Sequence, residues 1–289
     1  MRRSIMFLPA AKPGNLLNAD AYGADGIVID LEDATSFGEK DSARILLKHA
    51  LRTFKYNAEV IIRINNITTP WWKDDLEMIV PEKPDTIMPT KTRTADDIRL
   101  IDETITRIEK EHGMEVGKIK LLPLLETAES IVNAYEIAKA SPRMDGLYLG
   151  AGDLTFDMKA SRTKEGHEIF YARSKLVMVA RACNIDAIDT PYIQLRDYEG
   201  LQKDTRMVKD MGYNGRACIY PGQVEYVNAI FAPTAEEYRH AKATVIAYAE
   251  AEAQGRGVVV VDGVMHDGPD IPRARNIVEE YEKIYGVQE

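Results

Sequence analysis

Cysteine is scarce: the 289 residues contain only Cys183 and Cys218. Two thiols cannot build a disulfide framework, and both fall in apolar-periodic stretches, so we expect buried, reduced thiols in a cytoplasmic protein. Histidine is little used as well. His112, His167 and His240 fall on polar helical stretches, His49 lies on a helix, and only His266 occupies a segment that reads as a flap. With neither HExxH nor a CxxC pair, zinc has no recognisable seat. The GxSxG and GxxxxGK[ST] motifs are missing too, and GAGD at Gly150–Asp153 is too short for a dinucleotide fingerprint. Positive charge is in deficit. A net charge of −9 argues against nucleic acid or an anionic membrane as partner, although it leaves room for a local basic pocket. No apolar run approaches the roughly 20 residues of a transmembrane helix. The opening MRRSIMFLPAAKPG is broken by Pro9 and Pro13, which suits a first strand and not a signal peptide.

What is present is a regular alternation of short apolar runs with longer amphipathic ones. The runs at Ser4–Leu8, Ile27–Ile29, Val60–Ile64, Asp85–Met88, Leu121–Leu125, Leu147–Leu149, Ile185–Ile188 and Gly215–Ile219 read as strands. Each is nearly continuous in apolar character, as strands covered on both faces are. Helical spacing fills the intervals, for example Lys40–Phe54, Thr94–His112, Glu168–Ala182 and Asp197–Met211. Eight strand-plus-helix units predict an α/β fold, a (β/α)8 TIM barrel. Such a barrel is complete by residues 1–232. Residues 233–289 then predict a C-terminal extension: a helix at Thr234–Gln254, a glycine-bounded flap (GRGVVVVDGVMHDGPDI) and a last helix at Pro272–Tyr285. An appendage a barrel does not need commonly serves as a lid or an oligomer contact.

Polar residues gather where the strands end. Asp30 and Glu32, Arg63 and Asn65, Lys91, Glu126 and Asp153 follow five different strands, and a barrel brings those ends to one mouth. Thr127 offers a better helix cap than Glu126 does, which frees Glu126 for chemistry. Carboxylates crowded together repel and take up protons, a conflict that a divalent cation resolves. With no histidine or cysteine nearby, the expected ion is Mg²⁺, held by few carboxylates together with water or substrate oxygens. Beside Arg63 such an ion suits a 2-keto or 2-hydroxy acid, and hence the making or breaking of a C–C bond next to a carbonyl.

The segments RSIMFLPAAKPGNL, ADGIVIDLEDATSFGEKDSAR, VIIRINN, LLETAESIVNAYEIA, LGAGDLTFDM and GYNGRACIYPGQVEYVN resemble the citrate lyase β-subunit group of the HpcH/HpaI aldolase and malyl-CoA lyase superfamily. The resemblance implies a (β/α)8 barrel assembled as a homotrimer or hexamer. It also implies a Mg²⁺-dependent cleavage of a 3-hydroxy-acyl thioester of CoA, or of an acyl carrier protein, to an acetyl thioester and a keto acid. Matched motif by motif, Glu126 and Asp153 fall on the metal ligands, with Glu126 also facing substrate. Arg63 falls on the arginine that holds the keto-acid oxygen, and Asp30 and Glu32 on acids that position metal-bound water and the reacting group. Lys12 and Lys40 are candidate contacts to CoA. Asp267, in VMHDGP, falls on a flap aspartate that reaches a neighbouring subunit's site and handles the acetyl proton.

This chain departs from that pattern at Gly152, where GAED is usual, and at IMPTKTRT and IYPGQ. Citryl-, citramalyl- and malyl-CoA types of substrate all stay open. So do two other readings: a non-catalytic or carrier-dependent subunit of a larger lyase, and a free-acid aldolase. The last relies on a histidine base, and no histidine here stands at a strand end.

Overall fold

Short apolar runs become strands here because both of their faces are covered. The computed structural model describes residues 1–287. It builds nine parallel segments: β1 (Ser4–Pro9), β2 (Gly26–Asp30), β3 (Glu59–Arg63), β4 (Thr86–Met88), β5 (Lys120–Leu121), β6 (Leu124–Leu125), β7 (Gly146–Leu149), β8 (Asp186–Asp189) and β9 (Gly215–Cys218). Their order is β5-β4-β3-β2-β1-β9-β8-β7-β6. β5 and β6 are halves of one strand, interrupted at Leu122–Pro123, where proline has no amide to give the ladder. β5 pairs with β4 and β6 with β7. Across the break, Leu122 and Leu124 donate to Ile87 and Pro89 on one side, and Tyr148 donates to Pro123 on the other. The two ends of the sheet thus share one strand, and eight strands close into the expected barrel.

The helices between the strands are α1 (Pro13–Leu17), α2 (Lys40–Thr53), α3 (Trp72–Ile79), α4 (Ala95–Glu111), α5 (Ala128–Val132), α6 (Ala134–Ala138), α7 (Ala151–Asp157), α8 (Phe170–Cys183), α9 (Tyr198–Met211) and α10 (Val224–Phe231). In α4 the buried Ile98, Ile101, Ile105 and Ile108 recur every three or four residues, and a Thr94–Asp97 capping box starts the helix. The single helical spacer expected between the fifth and sixth strands is two short helices, α5 and α6, which meet at Asn133.

Ile5, Val28, Ile61, Met88, Leu122, Leu124, Tyr148, Ile188 and Ala217 form one buried cluster inside the barrel. At the N-terminal ends of the strands, Arg2 bonds Glu59 at 2.7 Å and also pairs with Asp145 and Asp186. That ionic plug occupies the stability end of the barrel and leaves the opposite mouth for chemistry.

By contact the chain divides into two units, Met1–Asn228 and the residues from Ala229 onward. The second holds α11 (Ala235–Ala253), the hairpin β10 (Val258–Val261) with β11 (Val264–Asp267), and α12 (Asp270–Tyr285). Thr234 caps α11, its hydroxyl accepting the Glu237 amide at 3.1 Å. Tyr238 on α11 stacks on Tyr281 of α12 at 4.3 Å. Among the described residues no helix is long and apolar enough to cross a membrane.

Candidate active site

The register of the sheet assembles the site. β2 and β3 pair with Asp30 opposite Arg63, so the acid ending one strand faces the base ending the next. Arg63 donates from Nε to Asp30 Oδ1 at 2.7 Å and from Nη2 to Asp30 Oδ2. The same two oxygens accept the amides of Glu32 at 2.8 Å and Ala34 at 3.0 Å. A carboxylate has about four acceptor positions, and here all are taken. Asp30, only 1% exposed, aims Arg63 and has no oxygen left for the water it was expected to position.

Glu32 bridges two bases. Its Oε1 accepts from Lys91 Nζ at 2.6 Å, and Oε2 lies 3.3 Å from Arg63 Nη1. Burial pushes its carboxyl above the usual range, against the pull of Arg63 and Lys91. The Lys91 ammonium sits among acids, 3.5 Å from Asp33 and 3.6 Å from Asp153. Lys91 is also left-handed, with φ of +50°, a conformation that costs a non-glycine residue about 1 kcal/mol. Its amide donates to Glu126 Oε1 at 2.8 Å.

Glu126 follows β6, and Thr127 does take the cap of α5, its hydroxyl accepting the Ser130 amide at 3.1 Å. Gly150 closes over Glu126 from the other side: a Cβ there would lie 2.6 Å from Glu126 Cβ and 2.9 Å from Oε2. Burial first, and the charge of Asp153 second, push the Glu126 carboxyl up to about 8. Asp153 is not at a strand end as the sequence suggested. β7 stops at Leu149, and Asp153 stands in the first turn of α7 with 44% of its side chain exposed.

These donors fit a hard divalent cation. Both Glu126 and Asp153 offer only oxygen, and a dication would relieve the buried, proton-seeking Glu126. Among the described residues no three His, Cys, Asp or Glu side chains converge as a ready cage. A site of two carboxylates completed by water or substrate is the habit of Mg²⁺.

Two cavities meet at this pair. One, of about 230 Å³, is lined by Phe7, Arg63, Glu126, Tyr148, Asp153 and Arg162. The other, a groove of about 790 Å³, runs past Asn66, Lys91, Arg93, Glu126, Asp153 and the exposed Phe156. A cavity of about 880 Å³ opens at the Arg2 end, but there Arg2 is bonded to both Glu59 and Asp145.

The two candidate lysines separate. Lys12 is exposed at the start of α1. Lys40 is turned inward, only 5% exposed, and donates to the carbonyls of Leu31 at 2.8 Å and Glu32 at 2.6 Å. It props the acidic loop, a position that withholds its ammonium from a cofactor. Asp267 ends β11 in the second unit and is exposed. Sequence reasoning missed Arg162, which stands in the loop after α7, away from any strand end. A lone arginine in SRTKEG carries no spacing signal that would mark it.

The HpcH/HpaI aldolase/citrate lyase family model matches residues 3–221. The citrate lyase subunit beta of Leuconostoc mesenteroides subsp. cremoris is 40% identical over 280 residues, 96% of this chain and 93% of that protein. A (3S)-malyl-CoA thioesterase of Cereibacter sphaeroides is 33% identical over 283 residues, 98% of this chain and 95% of that protein. The Mycobacterium tuberculosis CitE protein, solved with magnesium, acetoacetate and coenzyme A, superposes with a TM-score of 0.77 at 26% identity, covering 96% of this chain and 97% of that one.

Proposed function

Since the chain belongs to the HpcH/HpaI aldolase/citrate lyase family, we propose that it is a Mg²⁺-dependent carbon–carbon lyase that cleaves a 3-hydroxy-acyl thioester to an acetyl thioester and a keto acid. The observation that carries this reading is the meeting of Glu126, Asp153 and Arg63 at one cavity in the barrel mouth. Glu126 and Asp153 would hold Mg²⁺, which when bound supplies a Lewis acid for the keto-acid oxygen. The small cavity suits the keto acid. The longer groove beside it, with Lys91 and Arg93 on its wall, suits the thioester arm with its phosphates.

In the cleavage the hydroxyl passes its proton to water and becomes the keto oxygen. The electron pair of the broken C–C bond passes to the acetyl thioester as an enolate, which is then protonated at carbon. Arg63, locked in place by Asp30, offsets the developing charge on the oxygen. Asp267 delivers the proton to carbon from the flap of a neighbouring subunit. Supporting a subunit contact there, Val258, Val260, Val264 and Met265 expose apolar surface on the hairpin. A homotrimer or hexamer would bring each flap to a neighbour's mouth.

A second reading, a subunit that acts only on acyl-carrier-protein thioesters, draws support from the 40% identity to a citrate lyase subunit. One assay separates the two. Purified protein is given citryl-, citramalyl- and malyl-CoA with Mg²⁺, and acetyl-CoA release is followed with and without EDTA. EDTA-sensitive cleavage of one CoA thioester is expected. Cleavage of carrier-protein thioesters alone would favour the second reading, and cleavage of a free 4-hydroxy-2-keto acid would point to an aldolase.

A further inference from the structure

Behind the mouth, the buried Arg173, Arg216 and Asp189 lie side by side with the half-buried Arg162 and Asp204. Arg173 bonds Asp189 at 2.9 and 3.0 Å and Asp204 at 3.1 Å. Arg216 reaches the same two acids, lying 3.3 Å from Asp189 and closer to Asp204. Each acid is shared by both arginines, so the set closes at two charges against two. Arg162 is a third base on the same cavity wall, and that wall continues into the mouth beside Glu126 and Asp153.

Arg162 is held only by neutral acceptors. Its Nη2 donates to the Pro191 carbonyl at 2.8 Å and, weakly, to Thr190 Oγ1 at 3.4 Å. Among the described residues it has no carboxylate within ion-pair distance. Burial works most against its charge, and Arg173 and Arg216 add to that, while Tyr148 and Asp189 pull the other way. A partly desolvated cation without a carboxylate partner gains when an anion arrives. Its planar fork is shaped for a carboxylate. The metal pair already accounts for one carboxylate of a keto acid, so a carboxylate at Arg162 is a second one.

We propose that Arg162 receives a second carboxylate on the keto-acid half of the substrate, and so selects a dicarboxylic keto acid over a monocarboxylic one. The inference rests on the reading of the mouth as a lyase site. It narrows the substrate to a citryl-type thioester, whose keto-acid product is oxaloacetate, and disfavours the citramalyl and malyl types.

The test is calorimetric binding, with saturating Mg²⁺, of freshly dissolved oxaloacetate and of pyruvate to the intact protein and to its R162M and R162K variants. The wild type should bind oxaloacetate at least tenfold more tightly than pyruvate. R162M should reduce that ratio roughly 10- to 100-fold, the scale of a charge-assisted hydrogen bond. R162K, which keeps the charge and loses the fork, should fall between. Because Arg162 makes no ion pair and R162M gives up only its bonds to Pro191 and Thr190, R162M should stay folded and melt only slightly below wild type; a misfolded variant would show a structural part and overturn the assignment. An unchanged ratio, or an equal loss for both keto acids, would overturn it as well. Weakened binding of CoA alone would assign the anion as a phosphate and likewise overturn it. If the wild type binds neither keto acid, the lyase reading falls together with it.

Discussion

Gly150 and Gly152 stand two residues apart in GAGD, and the structure makes opposite demands of them. Gly150 has φ of −97° and ψ of 86°, so a side chain meets no left-handed strain there, only crowding. An alanine Cβ would approach Glu126 Cβ to 2.6 Å, Glu126 Oε2 to 2.9 Å and Leu124 Cδ1 to 3.0 Å. Neither a buried glutamate nor a barrel-lining leucine yields easily, and overpacking of this kind costs about 1–3 kcal/mol. Glu126 is also the residue displaced. Mg²⁺ demands near-ideal octahedral distances, so Gly150→Ala should weaken Mg²⁺ binding about tenfold or more, on top of the stability loss. At Gly152 a Cβ meets nothing within 4 Å, and the residue lies in the first turn of α7. Gly152→Ala should be neutral or stabilising by up to ~1 kcal/mol, with Mg²⁺ affinity unchanged. Urea denaturation in EDTA reads the first quantity, and titration with Mg²⁺ at fixed pH reads the second. A Gly150→Ala protein that matches wild type in both, or a Gly152→Ala protein that loses as much, would refute this packing of Glu126.

Four further outcomes follow, three from the mouth and one from the flap. Because burial and Asp153 push the Glu126 carboxyl up to about 8, Mg²⁺ must displace a proton below that pH. Its apparent affinity should fall about tenfold per unit from pH 8 to 6, with proton release visible in buffers of different ionisation enthalpy; a flat profile would contradict it. The sign for stability is opposite to that of an ion-paired carboxylate: the folded chain keeps a proton that the unfolded chain surrenders near 4.5. Metal-free protein should therefore lose up to ~1.4 kcal/mol per pH unit as pH rises through that window, and Mg²⁺ should cancel the loss. Arg63→Met strands the buried Asp30 and should destabilise by about 3–5 kcal/mol, whereas Arg63→Met with Asp30→Asn should cost less than the sum of the two single changes; additive losses in denaturation would show that the pair is uncoupled. Asp267→Asn should lower turnover strongly and leave Mg²⁺ binding intact, and unchanged turnover would remove Asp267 from the mechanism.

The barrel was legible because parallel strands buried on both faces have little choice but to be apolar, and because strand ends in a barrel must converge. Arg63, Glu126 and Lys91 could be placed at one mouth on that ground alone. What escaped the sequence has physical causes. The break at Pro123 leaves the run Leu121–Leu125 apolar, so periodicity does not register it. Asp153 follows the apolar run Leu147–Leu149 so closely that it reads as a strand end, yet the residues between open a helix. Lys40 carries the same letter whether it faces solvent or two carbonyls, and only the path of the acidic loop decides between them. Arg162 stands out only against the count of acids around Arg173 and Arg216, which are brought together from separate elements. Charge balance in a buried cluster is a property of three dimensions.

The seam between β1 and β9 governs how this protein can be made. Ser4 pairs with Arg216, an interval of 212 residues (216 less 4). At ribosomal speeds of about 5–20 residues per second, β1 emerges roughly 10–40 s before its second neighbour exists. Through that interval one edge of an apolar parallel sheet has no partner, and such an edge is a template for pairing with other chains. Yield in the cell should accordingly depend on translation rate and chaperone supply, with slower synthesis lengthening the exposure and a covering chaperone shortening it.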